Sequence, residues 1–186
     1  SYAAEKNLNV SNRTVHKFIG LVVSVQLLLW TISGIFFSFN KIDQIRGENY
    51  LKSDEQITPQ KISRISFDEA KEIVIEKTFL KPISVEEITE EKRGSEFRGR
   101  NLPLYKLSSL DSSDKEVNVY IDPSLGKIVA IRTFEWRLWD LMWGLHIMDW
   151  RDRDDINNLF LKIFSILALI SSITGIILFF RPKSKA

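Results

Sequence analysis

The sequence predicts an α+β membrane protein in which two transmembrane helices flank a small domain, itself a helix packed on an antiparallel sheet. Three observations predict it. No Asp, Glu, Lys or Arg interrupts the 22 residues from Phe18 to Phe39 or the 18 residues from Ile163 to Phe180. At about 1.5 Å per residue either stretch crosses a hydrocarbon core about 30 Å thick. Between them, one helical period opening near Ser66 gives way to short runs of alternating apolar and polar residues. The charge divides to match: residues 40–158 hold 19 Lys or Arg against 23 Asp or Glu, whereas the remainder holds 7 basic residues against Glu5 alone. A mean hydropathy of −0.08 averages these extremes away.

Residues 1–17 read as a cytoplasmic tail and 18–39 as the first span. Lys6, Arg13 and Lys17 precede that span, and Arg181, Lys183 and Lys185 follow the second. Short basic tails stay on the cytoplasmic side, so both termini are expected inside and the segment between the spans outside. The first apolar stretch is longer than the region of about 7–15 residues typical of a cleaved signal peptide, and it reads as an uncleaved anchor. Within it Gly20 and Ser24 lie four apart, and Gln26 brings an amide that hydrocarbon cannot satisfy. Ser171 and Gly175 repeat the small-residue spacing in the second span, 159–180. These residues favour close packing of the two helices on each other, or of one face on a partner subunit.

Residues 40–134 read as the domain outside the bilayer. Ser66-Phe67-Asp68-Glu69 fits a capping box, so a helix is expected from there. Its apolar face comprises Phe67, Ala70, Ile73, Val74 and Thr78 or Phe79, and Pro82 forbids its continuation. Strands are expected around Ile83 and Val85, over Leu104 to Leu107, over Val117 to Ile121, and from Lys127 to Thr133. Asp122-Pro123-Ser124-Leu125-Gly126 supplies the turn between the last two. The stretch from Glu90 to Asn101 contains Lys92, Arg93, Arg98 and Arg100, but it lacks the Gly-Lys-Ser/Thr ending of a nucleotide loop and reads as a solvated, mobile hairpin loop. The net acidity of 40–158 disfavours nucleic acid as a partner.

Residues 135–158 form a Trp-rich amphipathic segment. Trp136, Trp139, Trp143 and Trp150 recur at spacings of three, four and seven, which puts them on one helical face. That face lies either on the outer membrane surface, where Trp is at home, or under the domain as its lower core. Asp149, Asp152, Asp154 and Asp155 alternate with Arg151 and Arg153, and read as a self-paired turn rather than a metal site. The two histidines, His16 and His146, each sit beside a span. Imidazole is the usual neutral donor to haem iron, which invites a haem b reading. Antiparallel spans, however, place the two on opposite faces about 30 Å apart, so a haem would have to be shared with a partner chain. Each histidine also has a plainer reading as an interfacial residue. Without cysteine the chain offers no disulfide, thiolate nucleophile or thiolate-held cofactor.

Several of these pieces occur in a characteristic order. The helix with Ala70 near its start, the strands and the late Asp122 to Gly126 turn resemble a PepSY domain. The flanks Arg13-Thr-Val-His-Lys-Phe-Ile-Gly20, Trp143-Gly-Leu-His146 and Thr174-Gly175 are similar to the PepSY-associated transmembrane family, so that the resemblance covers about residues 10–182. It implies a bacterial inner-membrane protein with a periplasmic PepSY-like domain. Larger members are associated with ferric-siderophore reduction and bind haem b through membrane histidines, for which His16 and His146 are the matching positions. PepSY modules also regulate peptidases. Three functions follow in order: a non-catalytic accessory subunit of a larger inner-membrane complex of a redox or metal-handling kind, requiring no cofactor; a haem b electron-transfer component in iron or siderophore reduction; and a regulator of an envelope peptidase. The partners expected are the lipid bilayer and other integral membrane subunits, or a second copy of the chain.

Overall fold

A computed structural model describes residues 12–40, 45–52 and 64–180. The basic tail residues Lys6, Arg181, Lys183 and Lys185 lie outside the described residues. Helix α1, Asn12–Phe39, carries the first apolar stretch, and a 3-10 turn at Glu48–Tyr50 follows. Helix α2, Phe67–Lys77, begins on the expected capping box: the Ser66 hydroxyl accepts from the Glu69 N–H while the Glu69 carboxylate accepts from the Ser66 N–H. It stops at Lys77, just short of Thr78 and Phe79 at the end of the apolar pattern. Thr78 is extended, and its hydroxyl bonds back to the Val74 carbonyl at 2.6 Å, so Phe79 projects outward.

Four strands follow: β1 Lys81–Ile88, β2 Leu104–Leu110, β3 Glu116–Asp122 and β4 Lys127–Arg132. They form an antiparallel meander in the order β1-β2-β3-β4. The order explains Pro82: β1 is an edge strand, and the pairing register shifts just after it. Asp122 accepts from the Ser124 and Leu125 N–H groups, and Gly126 at φ 58 completes the turn into β4. Period-2 alternation then sorts the side chains. Leu107, Val117, Val119 and Ile121 meet Ala70 and Val74 of α2 in a closed core. Each large aliphatic side chain so buried stabilises by about 1.5–3 kcal/mol relative to exposure.

The opposite face carries Leu104, Tyr120 and Ala130. Across it lies the segment between β1 and β2, with Phe97 against Tyr120 at 5.8 Å between ring centres. The expected solvated, mobile loop is therefore a cover for half the sheet. Its apolar anchor, Phe97, stands among charges that masked it in the sequence.

Helix α3, Phe134–Ile147, carries three of the tryptophans, and helix α4, Leu159–Phe180, carries the second apolar stretch. Helix α3 ends where Met148 turns left-handed at φ 58. Trp150 therefore falls beyond it, exposed and beside Phe160 rather than on a shared face with Trp136, Trp139 and Trp143. Helices α1 and α4 touch each other, with Val23, Gln26 and Ala168 buried. The small residues do not make that contact as a set. Ser24 and Gly175 are exposed, Ser171 is half-buried, and a Cβ added at Gly20 or Gly175 would meet nothing within 4 Å. The α1–α4 seam instead uses the row three residues on from Gly20, through Val23 and Gln26.

Candidate functional site

The site begins where α3 meets α1. Trp139 lies 5.4 Å from Phe37, while the His146 carbonyl accepts from the Trp30 indole N–H at 2.7 Å. Position 139 thus faces 37 and position 146 faces 30, so α3 runs back antiparallel along the last turns of α1. The cause is the breadth of its apolar surface. Trp139 and Trp143 stack at 5.6 Å with their planes 10° apart, and both rings close on Phe37. Aromatic pairs of this kind contribute about 0.5–1.5 kcal/mol each beyond their area burial.

His146 completes the cluster. Its ring stacks on Trp143 at 6.3 Å and 13°, sits edge-on to Phe37, and its Nδ1 is 2.8 Å from the Ser33 hydroxyl. That hydroxyl also reaches the Leu29 carbonyl at 2.8 Å. A serine has one proton to give, so when it donates to Leu29 it accepts from His146 Nδ1–H, and Nε2 keeps its lone pair. His16 belongs to the first turns of α1. From position 16 to position 33 the helix rises roughly 25 Å. One haem iron needs both imidazoles at about 2 Å, so the residues of a single chain do not fit a bis-histidine haem.

The other side of α3 is held by charge. Asp140, 1% exposed, receives Arg98 on one carboxylate oxygen and Arg153 on the other, the latter at 2.8 Å. Arg98 also donates to the Ser95 and Arg153 carbonyls, at 3.2 and 3.3 Å. A second node centres on Glu96, whose carboxylate accepts from Arg137, from Asn118 at 2.8 Å and from the Tyr120 hydroxyl at 3.0 Å. Burial raises the Glu96 pKa, but these donors and the Arg137 charge together outweigh it and leave the carboxyl below its usual value. Burial, and then the charge and hydrogen bond of Glu96, push the Tyr120 phenol well above its ordinary pKa. Trp136 sits in a third environment, beneath the Arg132 guanidinium at 4.2 Å and beside that of Arg98 at 5.6 Å.

Asp149 accepts from the N–H groups of Asp152, Asp154 and Asp155 at 3.0–3.1 Å, which makes the acidic stretch a self-bonded turn. Among the described residues no group of three or more potential ligands could hold a metal ion.

The family model for the PepSY-associated TM region matches residues 13–186. The chain belongs to that family. No curated protein and no solved structure matches it. Membership in the PepSY-associated TM region family, together with helices at Lys17–Phe39 and Leu159–Ile176 that are each long and apolar enough to cross a bilayer, makes this a membrane protein.

Sequence reasoning pointed to the tryptophans and His146 but missed what they touch. Trp30 and Phe37 looked like ordinary span residues and Ser33, beside Gly34, like a small residue for close helix packing, although a Trp and a Ser three apart mark one helical face with hydrogen-bonding capacity. Asp140 gave the clearest overlooked signal. A lone carboxylate on an apolar helical surface needs cationic partners, and Arg98 and Arg153 supply them.

Proposed function

We propose that the chain is a non-catalytic accessory subunit of a larger inner-membrane complex of a redox or metal-handling kind, with both termini cytoplasmic and a periplasmic PepSY-like domain between its spans. The observation that carries this reading is the uncovered surface of the two apolar helices. Most of α1 and α4 buries nothing within the chain, and Gly20, Ser24 and Gly175 present small residues to open space. A neighbouring transmembrane helix can approach closely there. The α1–α3 junction supports the same role, because its aromatic contacts and hydrogen bonds tie α3 to the first apolar helix. The test is isolation of the intact chain from native membranes in mild detergent, with identification of what co-purifies. Stoichiometric integral-membrane partners that are lost on substituting Gly20 and Gly175 by Leu support the subunit reading, and a monomer in native membranes refutes it.

A second reading, as a haem b electron-transfer component, is favoured by one observation: His146 is anchored through Nδ1, which leaves Nε2 as a donor. It requires a second imidazole from another chain at that level of the membrane. Regulation of an envelope peptidase is the third reading, and it rests on the family likeness alone.

A further inference from the structure

The sheet face next to α3 has a cleft of about 460 Å³ whose lining includes Arg46, Gly47, Glu48, Arg100, Arg132 and Trp136. Its shape depends on Gly47. With φ 76, and with any added Cβ only 2.7 Å from Ile131 Cγ2, this residue lets the turn at Glu48–Tyr50 press against β4 and sets Arg46 at the rim. The floor is Arg132, 9% exposed and stacked on Trp136. Its Nε donates to the Glu96 carbonyl at 2.9 Å and its Nη1 to the Ile131 carbonyl at 3.1 Å. Among the described residues its Nη2 makes no hydrogen bond, and no carboxylate is bonded to the guanidinium. The Glu96 carboxylate is already engaged by Arg137, Asn118 and Tyr120.

A buried cation is ordinarily paired. Here burial first, and then the facing charge of Arg100, pull the Arg132 guanidinium down to about 10. Three arginines therefore converge on a space that contains one acid, the exposed Glu48. An anionic phosphate group would relieve that repulsion and take up the open donors, since guanidinium forks match phosphate oxygens. We propose that this cleft binds a phosphate group, either on an anionic lipid headgroup or free in solution. Its level in the molecule suits a headgroup: Trp136 is one turn from Trp139, whose ring lies on Phe37 near the end of the apolar stretch Lys17–Phe39.

The test uses the intact chain in nanodiscs. In zwitterionic lipid, titration with inorganic phosphate should give a saturable change in tryptophan fluorescence. Arg46→Gln and Arg100→Gln, both at exposed positions, should each weaken it by about tenfold, the worth of one charged hydrogen bond. Arg132→Lys keeps the charge but loses the fork, and should weaken binding similarly while the far-UV signal is unchanged. In discs containing phosphatidylglycerol, loss of the phosphate response identifies the headgroup as occupant, and an undiminished response identifies free phosphate. No saturable response in zwitterionic discs, or wild-type affinity retained in all three variants, overturns the proposal.

Discussion

At the scale of single residues, Asp140 concentrates the largest consequence in one side chain. Two arginines from segments far apart in sequence end on its two oxygens. Asp140→Ala would leave both cations partly buried beside an apolar helix, and should cost about 3 kcal/mol, measured by denaturant unfolding of the detergent-solubilised chain. Glu87→Ala, which breaks the solvent-facing pair with Arg64, should change the same midpoint little. Glu96 gives a pH dependence whose sign is fixed by its environment. Its folded pKa is lowered, so its contribution is fully present above the unfolded carboxylate value of about 4.3 and is lost as pH falls through the lower folded value. Acidification from about pH 7 to about pH 3 should destabilise the wild type more than Glu96→Gln, and equal acid sensitivity would remove Glu96 from this role.

At the scale of elements, the junction of α3 with α1 determines how the sheet and its helix are mounted on the first apolar helix. Trp139→Ala with Trp143→Ala removes both rings that hold Phe37 and should destabilise by about 3 kcal/mol or more. Limited proteolysis should then cut between β4 and α4 faster than in the wild type. An unchanged cleavage rate would mean that Asp140 alone secures the helix. The strands and the capped helix were legible because each follows from a local rule. Alternation with period two marks β3, and Ser66 with Glu69 marks the start of α2. The mounting of α3 was not legible. Its tryptophan spacing shows one wide apolar face, but no local pattern says whether that face meets lipid, the sheet or α1. The cover formed by Phe97 was hidden for a related reason, since its partners Tyr120 and Leu104 lie in other strands and its neighbours in sequence are charged. Asp140 and Arg98, 42 positions apart, illustrate the same limit.

At the scale of the whole molecule, two helices long and apolar enough to cross a bilayer stand before and after the sheet in the chain. The chain has no cysteine, so single cysteines report sidedness cleanly. Ser112→Cys, exposed in the turn between β2 and β3, should react with a membrane-impermeant thiol reagent added to intact cells, and Ser184→Cys should not. The opposite pattern would invert the topology. The positions of the histidines then set what the molecule can do alone: His146 is fixed beside Ser33, and His16 lies roughly 25 Å away along the same helix. The most direct measurement is the visible absorption spectrum of the chain purified in mild detergent as a demonstrated monomer and, separately, in its native assembly. The monomer should show no bis-histidine haem, because it offers one imidazole at each level. Haem in a monomeric preparation that disappears on His16→Ala would contradict the separation of the two histidines, and with it the account of a subunit completed by other chains.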